Sequence, residues 1–525
     1  MLRTDPRELE RTACDLLVVG AGIQGAAIAR EAAVRGLSVV LCDRRDVAAG
    51  TSSRSSRLVH GGLRYLQHGH FALVREALHE RERLLRSCPH LVRPVPMILP
   101  FHRDGSASPW RMRLGTWLYA RLAGRSTLPA PRHLSATAAA AAFPGLRTRG
   151  LRSALEFFDA ATQDTRLTLA NVLAAHEAGA RIVTHCAFVG VDDSGARLVC
   201  GLTGAEVAIG TRHIVNAAGP GADGLRRKLG CEGADLTRQS RGSHLVLPPR
   251  DGETALAGFL PDGRIQFVIP HRDGTLCGTT DVDSEFEDEE TGPPAADLDY
   301  LYEALQFLLD PVPGRGRIGL AYAGWRSLPA TKGPPGAINR EAFIVTEAVA
   351  CGELHTVVGG KLTTHRAFAE RTVARLFGFT GVSPTRSLPL PGGDGPSDVS
   401  DPLWWRYGSR SAAVHRLLRD EPALAGPLCP HRPFLRAEAV HALRHEGAVT
   451  FTDLMLRRLV HGQGPCLDEG CLLAAHELFR RERVVDHDSD LDTAVAWLLR
   501  EVAIQCGDLT HWRDQAGDRQ GDVGS

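Results

Sequence analysis

Residues 14–43 read CDLLVVGAGIQGAAIAREAAVRGLSVVLCD, and this stretch decides which fold the amino-terminal part of the chain adopts. Residues 14–20 form a short apolar run that ends in glycine, which is typical of a strand buried on both faces. Apolar residues at helical spacing follow in 23–35, and a second apolar run, 37–42, ends at Asp43. The pattern predicts a strand, a helix and a second parallel strand, that is, a βαβ unit.

Three glycines stand where the first predicted strand passes into the helix, with the spacing GxGxxG: Gly20, Gly22 and Gly25. The first permits a tight turn, the second lets the backbone approach a pyrophosphate, and the third lets the helix pack on the strand. The start of the helix offers N–H groups and a positive dipole end to phosphates. Asp43 ends the second strand, where a carboxylate can bind a ribose hydroxyl. We therefore predict dinucleotide binding, with FAD and NAD both open.

The polar segment 51–57, TSSRSSR, follows the acidic residue closely. Its hydroxyl and N–H groups can bind a second phosphate or the edge of a flavin, which favours FAD. In isolation such a segment would be read as a solvated surface loop. We expect Thr51, Ser52 and Ser53 to contribute to cofactor binding.

Length and charge limit the classes of protein to consider. A chain of 525 residues indicates two or three domains. Hydrophobic residues make up 43% and charged residues 23%, the balance of a globular protein with a substantial core. The formal net charge is zero, so a general electrostatic attraction to nucleic acid is not expected.

The twelve cysteines are scattered between Cys14 and Cys506 without a CxxC pair, and the closest two are Cys466 and Cys471. This usage is typical of reduced intracellular thiols rather than a disulfide framework or a zinc site, and we predict no metal site. The start of the chain has no apolar signal-peptide core, and no run of eighteen apolar residues occurs. We expect a cytoplasmic protein, or one on the cytoplasmic face of a membrane.

From the N-terminus to about residue 390, the chain resembles the FAD-dependent, membrane-associated glycerol-3-phosphate dehydrogenases, with matching segments in the same order and at similar spacing. The matching segments are 51–85, 157–171 (FFDAATQDTRLTLAN), 215–220 (VNAAGP), 241–248 (RGSHLVLP), 267–283 (FVIPHRDGTLCGTTDVD), 323–328 (AGWRSL) and 358–366 (VGGKLTTHR). A helical carboxyl-terminal part also resembles that of the family, best in 444–458 (RHEGAVTFTDLMLRR).

The resemblance implies an α/β fold (α+β overall). It would contain a Rossmann-type FAD-binding domain of the glutathione-reductase and D-amino-acid-oxidase type, interleaved with an antiparallel-sheet substrate domain and followed by a helical domain. The expected boundaries are 1–90, 150–230 and 325–390 for the FAD-binding domain, 91–149 and 231–324 for the substrate domain, 391–402 for a linker, 403–512 for the helical domain and 513–525 for a disordered tail. The linker is also indicated by its Pro, Gly, Ser and Asp content.

The resemblance further implies oxidation of sn-glycerol 3-phosphate to dihydroxyacetone phosphate, with hydride transfer from C2 to FAD and electron transfer to a quinone. Such a site needs cations for the phosphate, a base for the hydroxyl and a positive group near the flavin. By the same resemblance, Arg326 and Arg340 contact the phosphate and substrate, and Arg64 and Tyr65 line the substrate pocket.

Two histidines, His60 and His244, are the candidate bases because imidazole titrates near working pH, and the choice between them stays open. Lys361 is one of only three lysines in the chain, and the resemblance implies that it stabilises charge on the alkoxide or the flavin. Its neighbours Gly359, Gly360 and Thr363 are expected to approach the cofactor. Without the resemblance, an arginine in this chain would be read as a surface residue and a histidine beside two glycines as a structural one.

The chain departs from the family pattern at five positions: Gln163 replaces an acid, Gly221 an aromatic residue, His271 a tryptophan, Ser327 a proline and His365 a tyrosine. Together these changes could reshape the pocket. Three alternatives therefore stay open: an oxidase that passes electrons to oxygen, an FAD-dependent amine or hydroxy-acid oxidoreductase, and a non-catalytic flavoprotein.

Residues 110–125, WRMRLGTWLYARLAGR, combine aromatic and aliphatic residues with arginines, the composition of an interfacial helix. The apolar residues are spread around the helix, so packing on the substrate domain is the favoured alternative. The family implies peripheral binding to the cytoplasmic face of the inner membrane, with a quinone as electron acceptor. A homodimer is left open.

Overall fold

A computed structural model describes residues 2–67, 69–106, 108–271, 274–284, 292–333, 338, 341–459, 466–482 and 490–520. The strands are β1 Thr12–Ala13, β2 Leu16–Val19, β3 Val39–Cys42, β4 Leu58–Val59, β5 Val92–His102, β6 Arg132–Ser135, β7 Leu151–Thr162, β8 Arg181–Val183, β9 Cys186–Asp192, β10 Gly195–Cys200, β11 Glu206–Gly210, β12 His213–Asn216, β13 Thr237–Leu247, β14 Ala255–Phe259, β15 Ile265–His271, β16 Gly274–Gly278, β17 Val282–Asp283, β18 Leu320–Pro329, β19 Phe343–Val349, β20 Gly352–Val358, β21 Pro427–Cys429 and β22 Arg432–Leu435. The helices are α1 Ile23–Val34, α2 Arg64–Gln67, α3 Phe71–Ser87, α4 Pro109–Ala123, α5 Ala136–Ala142, α6 Asp164–Glu177, α7 Ala222–Lys228, α8 Ala295–Leu308, α9 His365–Phe377, α10 Trp404–Tyr407, α11 Ser411–Asp420, α12 Arg436–His445, α13 Phe451–Asp453, α14 Glu469–Glu482, α15 Leu491–Cys506 and α16 Leu509–Gln520.

The predicted βαβ unit is confirmed as β2, α1 and β3 at the centre of a six-stranded sheet with the order β19-β20-β12-β2-β3-β8. The strands from β20 to β8 are parallel, and β19 joins the edge antiparallel. β2 and β3 consist of Val, Leu and Cys and are buried throughout, because one face of the sheet packs against α1, α6 and α9 and the other against strands β9–β11. The fold class expected from the sequence is confirmed.

A second, larger sheet has the strand order β17-β13-β16-β15-β14-β5-β7-β4, with β18 paired to β13 and β6 paired to β7. Its pairings are antiparallel apart from β14 with β5. Helix α8 packs against it with Leu298, Leu301 and Leu305 fully buried. Strand β7 belongs to this sheet because it pairs with β5 along its length, although the sequence placed 150–230 with the FAD-binding segments.

The carboxyl-terminal part is mainly helical, as expected, but it also contains the hairpin β21–β22, which its sequence did not predict. Helix α16 runs to Gln520, whereas we expected a disordered tail from residue 513. The reason is Trp512, which is 1% exposed and donates a hydrogen bond from Nε1 to Asp299 Oδ1 at 2.7 Å. This aromatic anchor holds α16 against α8. Among the described residues, no helix combines the length and apolar composition that crossing a membrane requires.

Two buried ion pairs attach the carboxyl-terminal helices to the dinucleotide-binding domain. Arg458 donates two hydrogen bonds to Asp46, at 2.6 and 2.9 Å, and both side chains are almost fully buried. Arg166 of α6 donates two more to Glu446, both at 2.7 Å. The Arg166 guanidinium helps to hold the pKa of Glu446 at about 2 against the opposing effect of burial. The Glu446 carboxylate is therefore charged inside the interface.

Replacing Arg458 with methionine should lower the free energy of unfolding by about 3–5 kcal/mol, because the buried Asp46 carboxylate loses its bidentate partner. Thermal and urea unfolding would measure the loss. The double variant Asp46→Leu/Arg458→Met should recover only part of it, since it removes both charges of the pair but takes Asp46 away from the buried Arg457, which lies 3.5 Å from it. The control Arg227→Met removes an exposed pair with Asp235 and should cost less than about 1 kcal/mol. A single Arg458 variant as stable as this control would contradict the prediction.

Candidate dinucleotide-binding and active site

The site begins where β2 turns into α1, and the backbones there are in direct contact. Gly20 has a φ of +108°, and a Cβ on it would lie 2.5 Å from the carbonyl oxygen of Ala217. A Cβ on Gly25 would overlap the carbonyl oxygen of Gly20. Only glycine fits at both positions, so the first and third glycines act as predicted: they bring α1 onto the sheet.

The first turn of α1 faces the carboxyl edge of the sheet. Gly22 precedes the helix and has no side chain to cap it, while the N–H of Ile23 donates to Ser52 Oγ at 2.8 Å. A Cβ on Gly22 would be 3.2 Å from that same oxygen. Ser52 thus lies at the helix start, its contact with the cofactor stays a prediction, and the remaining N–H groups of this turn form a site that favours a phosphate.

Asp43 follows β3 at the same edge. Its Oδ2 accepts the N–H of Ala21 at 2.7 Å and its Oδ1 accepts the N–H of Arg45 at 2.8 Å. The carboxylate is half-buried and is held in place by these two bonds. Each oxygen can accept a further hydrogen bond, so a ribose hydroxyl can donate to it, as the sequence predicts.

The other two hydroxyls predicted to bind the cofactor are engaged within the protein. Thr51 donates from Oγ1 to the carbonyl oxygen of Trp325 at 2.7 Å, and Ser53 donates to the carbonyl oxygen of Gly50 at 3.1 Å. Both can still accept hydrogen bonds from a ligand. The bond from Thr51 also fastens this loop to strand β18 of the larger sheet.

The segment that follows β20 returns to the first turn of α1. Gly359 and Gly360 have φ values of +74° and +113°, and a Cβ on Gly360 would lie 2.6 Å from Gln24 Nε2. That amide donates to the carbonyl oxygen of Lys361 at 3.3 Å. The two glycines therefore allow a close approach to the first turn of α1, and their approach to the cofactor stays a prediction.

Three of the predicted catalytic residues lie in or beside the segment that follows β20: His60, Tyr65 and Lys361. The hydroxyl of Thr363 accepts the N–H of His60 at 3.1 Å and lies 3.3 Å from the His60 carbonyl oxygen. The Nζ of Lys361 lies 3.6 Å from the ring centroid of Tyr65, within the range of a cation–π interaction. The structure thus places Tyr65 beside Lys361 and joins His60 to the same segment.

His244 lies on β13 and is 2% exposed. Its Nε2 is hydrogen-bonded to Ser56 Oγ at 2.9 Å, and its ring stacks on Tyr322 with centroids 4.9 Å apart. Burial lowers its pKa well below the usual value, and the positive charges of Arg326 and Arg57 lower it further. His244 is therefore neutral at physiological pH, the state in which an imidazole can accept a proton.

Arg326 lies on β18, and its guanidinium lies over Gly242, where any side chain would collide with it. Its Nη1 lies 3.1 Å from Asp281 Oδ1 and 3.2 Å from the Thr280 carbonyl oxygen, and its Nη2 donates to Thr279 Oγ1 at 2.9 Å. The side chain is 20% exposed. Sequence analysis missed these partners because they lie 45 to 47 residues from Arg326 along the chain.

Two predicted residues cannot be assigned contacts. Arg340 falls outside the described residues. Arg64 begins α2, but its side chain lies outside the described part of the chain. Their roles stay predictions.

Two departures from the family pattern, His271 and His365, are histidines with lowered pKa values. His271 ends β15, and its pKa is well below the usual value because of burial and the positive charges of Arg57 and Arg93. Arg57 thus acts on both His244 and His271. His365 begins α9, with Nδ1 2.6 Å from the Leu362 carbonyl oxygen, and burial lowers its pKa to about 4. Both histidines are neutral at pH 7.

Comparison with known proteins agrees with this geometry. The family model described as FAD dependent oxidoreductase matches residues 15–366. A second model, described as the C-terminal domain of alpha-glycerophosphate oxidase, matches residues 358–462.

Two curated relatives and one solved structure illustrate the similarity. The chain is 32% identical to a glycerol-3-phosphate dehydrogenase of Synechocystis over 493 residues, covering 86% of this chain and 89% of the relative. It is 38% identical to a D-erythritol 1-phosphate dehydrogenase of Brucella abortus over 398 residues, covering 73% and 78%. The crystal structure of the Bacillus halodurans glycerol-3-phosphate dehydrogenase with FAD superposes with a TM-score of 0.68 at 23% identity, covering 99% and 97%.

Replacing Gly22 with valine should abolish flavin binding, because branched carbons would fill the space between the start of α1 and Ser52, where the pyrophosphate must approach. The bound flavin, measured by its visible absorbance, should fall below about one tenth of the wild-type amount while the circular dichroism stays unchanged. The control is Gly224→Ala in α7, whose added Cβ would have no neighbour within 4 Å. A normally yellow Gly22→Val protein would refute this assignment of the glycines.

Proposed function

The chain belongs to the FAD-dependent oxidoreductase family that includes the glycerol-3-phosphate dehydrogenases, and from this membership we propose that it oxidises the secondary alcohol of a polyol phosphate. The first candidate substrate is sn-glycerol 3-phosphate, with dihydroxyacetone phosphate as the product. FAD, when bound, supplies the acceptor for the hydride that leaves C2. The observation that carries the proposal is that one loop, 51–57, contacts both the start of α1 and the strands that bear His244 and Arg326.

The phosphate is the group that Arg326 is suited to bind. A guanidinium offers paired N–H donors that match phosphate oxygens. Asp281 beside it holds the guanidinium in one orientation and offsets part of its charge. The partly exposed edge of Arg326 would face the substrate, and Arg340 would add the second charge that a dianionic phosphate needs.

The C2 hydroxyl must lose a proton when the hydride leaves. His244 is one candidate because its imidazole is neutral and fixed by Ser56, although the burial and the charges of Arg326 and Arg57 that lower its pKa also weaken it as a base. Its bond to Ser56 would orient the ring. His60 is the alternative base, since it lies beside Thr363 and the segment that carries Lys361. The ammonium of Lys361, positioned by the ring of Tyr65, would stabilise the negative charge that develops on the substrate oxygen.

A longer polyol phosphate is a second candidate substrate. The relative from Brucella abortus, named for D-erythritol 1-phosphate, is 38% identical to this chain. His271 stands where the resemblance expects tryptophan, and an imidazole occupies less space than an indole. In the sheet register, Phe267 lies level with Gly278 and His244, whereas His271 lies four residues farther along β15, so this substitution does not adjoin the proposed base and the second candidate rests on the relative.

Anaerobic titration of the purified protein tests cofactor, substrate and reaction together. We expect sn-glycerol 3-phosphate or D-erythritol 1-phosphate to bleach the flavin absorbance, with the better substrate bleaching at the lower concentration. Glycerol and lactate should leave it unchanged, because they lack the phosphate. Bleaching by lactate or an amine instead would favour the amine or hydroxy-acid alternative, and no bleaching at all would favour a non-catalytic flavoprotein.

The Arg326→Ala variant should lose about 10- to 100-fold in kcat/KM for the phosphate ester, the value of one charged hydrogen-bonding partner. Its flavin content should be that of the wild type. Arg227→Ala, which removes an exposed arginine of α7, serves as the control. Kinetics equal to those of this control would remove Arg326 from the substrate site.

The electron acceptor and the membrane belong to the same proposal. We propose that reducing equivalents pass to a quinone and that α4 rests on a membrane surface. Within α4, Met112, Thr116 and Tyr119 are buried, whereas Trp110 and Trp117 are 65% and 57% exposed. The apolar residues that seemed spread around the helix thus form two stripes, one packed inward and one facing out.

The outward stripe of α4 has the composition of an interfacial surface. Leu114 lies between the two tryptophans and is 56% exposed, and Arg113 and Arg121 are exposed nearby. Indole rings favour the level of lipid headgroups, and arginines pair with anionic lipids. This arrangement supports peripheral binding to a cytoplasmic membrane face.

Replacing Trp110 and Trp117 together with serine should reduce flotation with vesicles of anionic phospholipid at least fivefold, because the outer stripe loses its largest apolar area. The control is Trp497→Ser, which removes a tryptophan that is 55% exposed on α15. Equal flotation of the two variants would exclude α4 as the membrane contact. Peroxide yield per substrate, measured with and without a soluble quinone, would separate the quinone-linked enzyme from an oxidase.

A further inference from the structure

Four side chains with metal-binding atoms converge in the carboxyl-terminal domain: Cys429, His431, Cys466 and Cys471. Their ligand atoms all lie within 4.8 Å of one another. The Nδ1 of His431 is 3.5 Å from Cys466 Sγ and 3.4 Å from Cys471 Sγ. The cysteines look scattered in the sequence, but the fold collects three of them at one point.

Two short structural units hold these side chains. Cys429 ends β21 and pairs with Arg432 of β22, so His431 stands in the tight turn of the hairpin. Cys471 lies in the first turn of α14, and its N–H donates to Asp468 Oδ1 at 3.1 Å. The ligands therefore come as Cys-x-His from a hairpin and Cys-x₄-Cys from a helix start, and both units restrict the backbone.

The distances fit one tetrahedral ion. Zinc lies about 2.3 Å from sulfur and about 2.0–2.1 Å from nitrogen, so a tetrahedral site separates nitrogen from sulfur by about 3.5 Å and two sulfurs by about 3.8 Å. The two nitrogen–sulfur distances agree with the first value. A cluster with two irons would need its two pairs of ligands farther apart. Sulfur ligands also exclude magnesium and calcium as the preferred ions.

We propose that these four residues bind a structural Zn²⁺ ion. The three cysteines are only 4% to 9% exposed and form a small buried group of their own. Four protein ligands complete the coordination, which leaves no open position for a substrate and is typical of a structural site. The spacing of the cysteines in the sequence predicted no zinc site, and this proposal replaces that expectation.

The ion would join the hairpin to α14 across a long stretch of chain. Residues beside the ligands, Leu428, Phe434 and Leu472, belong to the main core of this domain. Cross-linking distant parts of the chain stabilises a fold by limiting the unfolded state. Loss of zinc should therefore weaken the carboxyl-terminal domain and leave the FAD site intact. The inference is independent of the proposed substrate.

Metal analysis of the full-length protein is the first test. Protein without a polyhistidine tag, purified from zinc-supplemented cells, should contain about one zinc per chain and little iron by mass spectrometry. Zinc well below this ratio would overturn the proposal. So would stoichiometric iron with the visible absorbance of an iron–sulfur cluster, or a Cys466–Cys471 disulfide in a thiol count under denaturing conditions.

Variants of the ligands locate the ion. Cys466→Ser and Cys471→Ser should lose at least four-fifths of the zinc and keep their flavin, while the control Cys351→Ser, in the turn between β19 and β20, should keep both. His431 is exposed at its turn, so His431→Asn should fold and should release zinc to a chelator at least tenfold faster than the wild type. Unchanged zinc content in both cysteine variants, or unchanged release from the histidine variant, would contradict the assignment.

Discussion

Backbone contact at the start of α1 is the constraint on which the rest of this structure depends. Gly20 and Gly25 let the helix touch the sheet with no side chain between them, and Ala217 closes the contact from β12. The first turn of the helix is thereby placed at the carboxyl edge of the sheet. Asp43 and Gly360 reach the same edge from β3 and from the segment after β20. The cofactor site is the meeting point of these backbones.

The loop 51–57 connects the start of α1 to the larger sheet, which bears the proposed substrate-binding residues. Ser52 receives the N–H at the helix start, whereas Thr51 and the carbonyl oxygen of Ser55 bond to β18. Ser55 is in turn held by Asp164, which accepts both its N–H and its hydroxyl. Because neighbouring residues of one loop contact the helix and the large sheet, the two domains have little freedom to separate at this point. A flavin and its substrate need such fixed alignment for hydride transfer.

The helical domain and α4 are both bonded to segments that flank the cofactor site. Arg458 binds Asp46, which precedes the loop 51–57 in the chain. The helical domain is therefore bonded to the segment that leads into this loop. On the other side, Tyr119 of α4 accepts the N–H of Gly61 at 2.7 Å and donates to Asp159 at 2.9 Å. The helix proposed to rest on a membrane is thus bonded to the segment that carries His60 and Tyr65. The proposed zinc ion would stabilise the helical domain at a distance from this chemistry.

The dinucleotide fingerprint could be read directly from the chain, because the three glycines act through backbone geometry and Asp43 through its carboxylate, all within one local βαβ unit. Resemblance added the order of the domains and the candidate residues His244 and Lys361. Other features escaped the sequence because they join residues that are distant along the chain: Arg326 with Asp281, Arg458 with Asp46, and the cysteine and histidine cluster near α14. Local patterns specify strands, helices and backbone turns, but which buried side chains meet depends on how whole elements pack, and that emerged only in three dimensions.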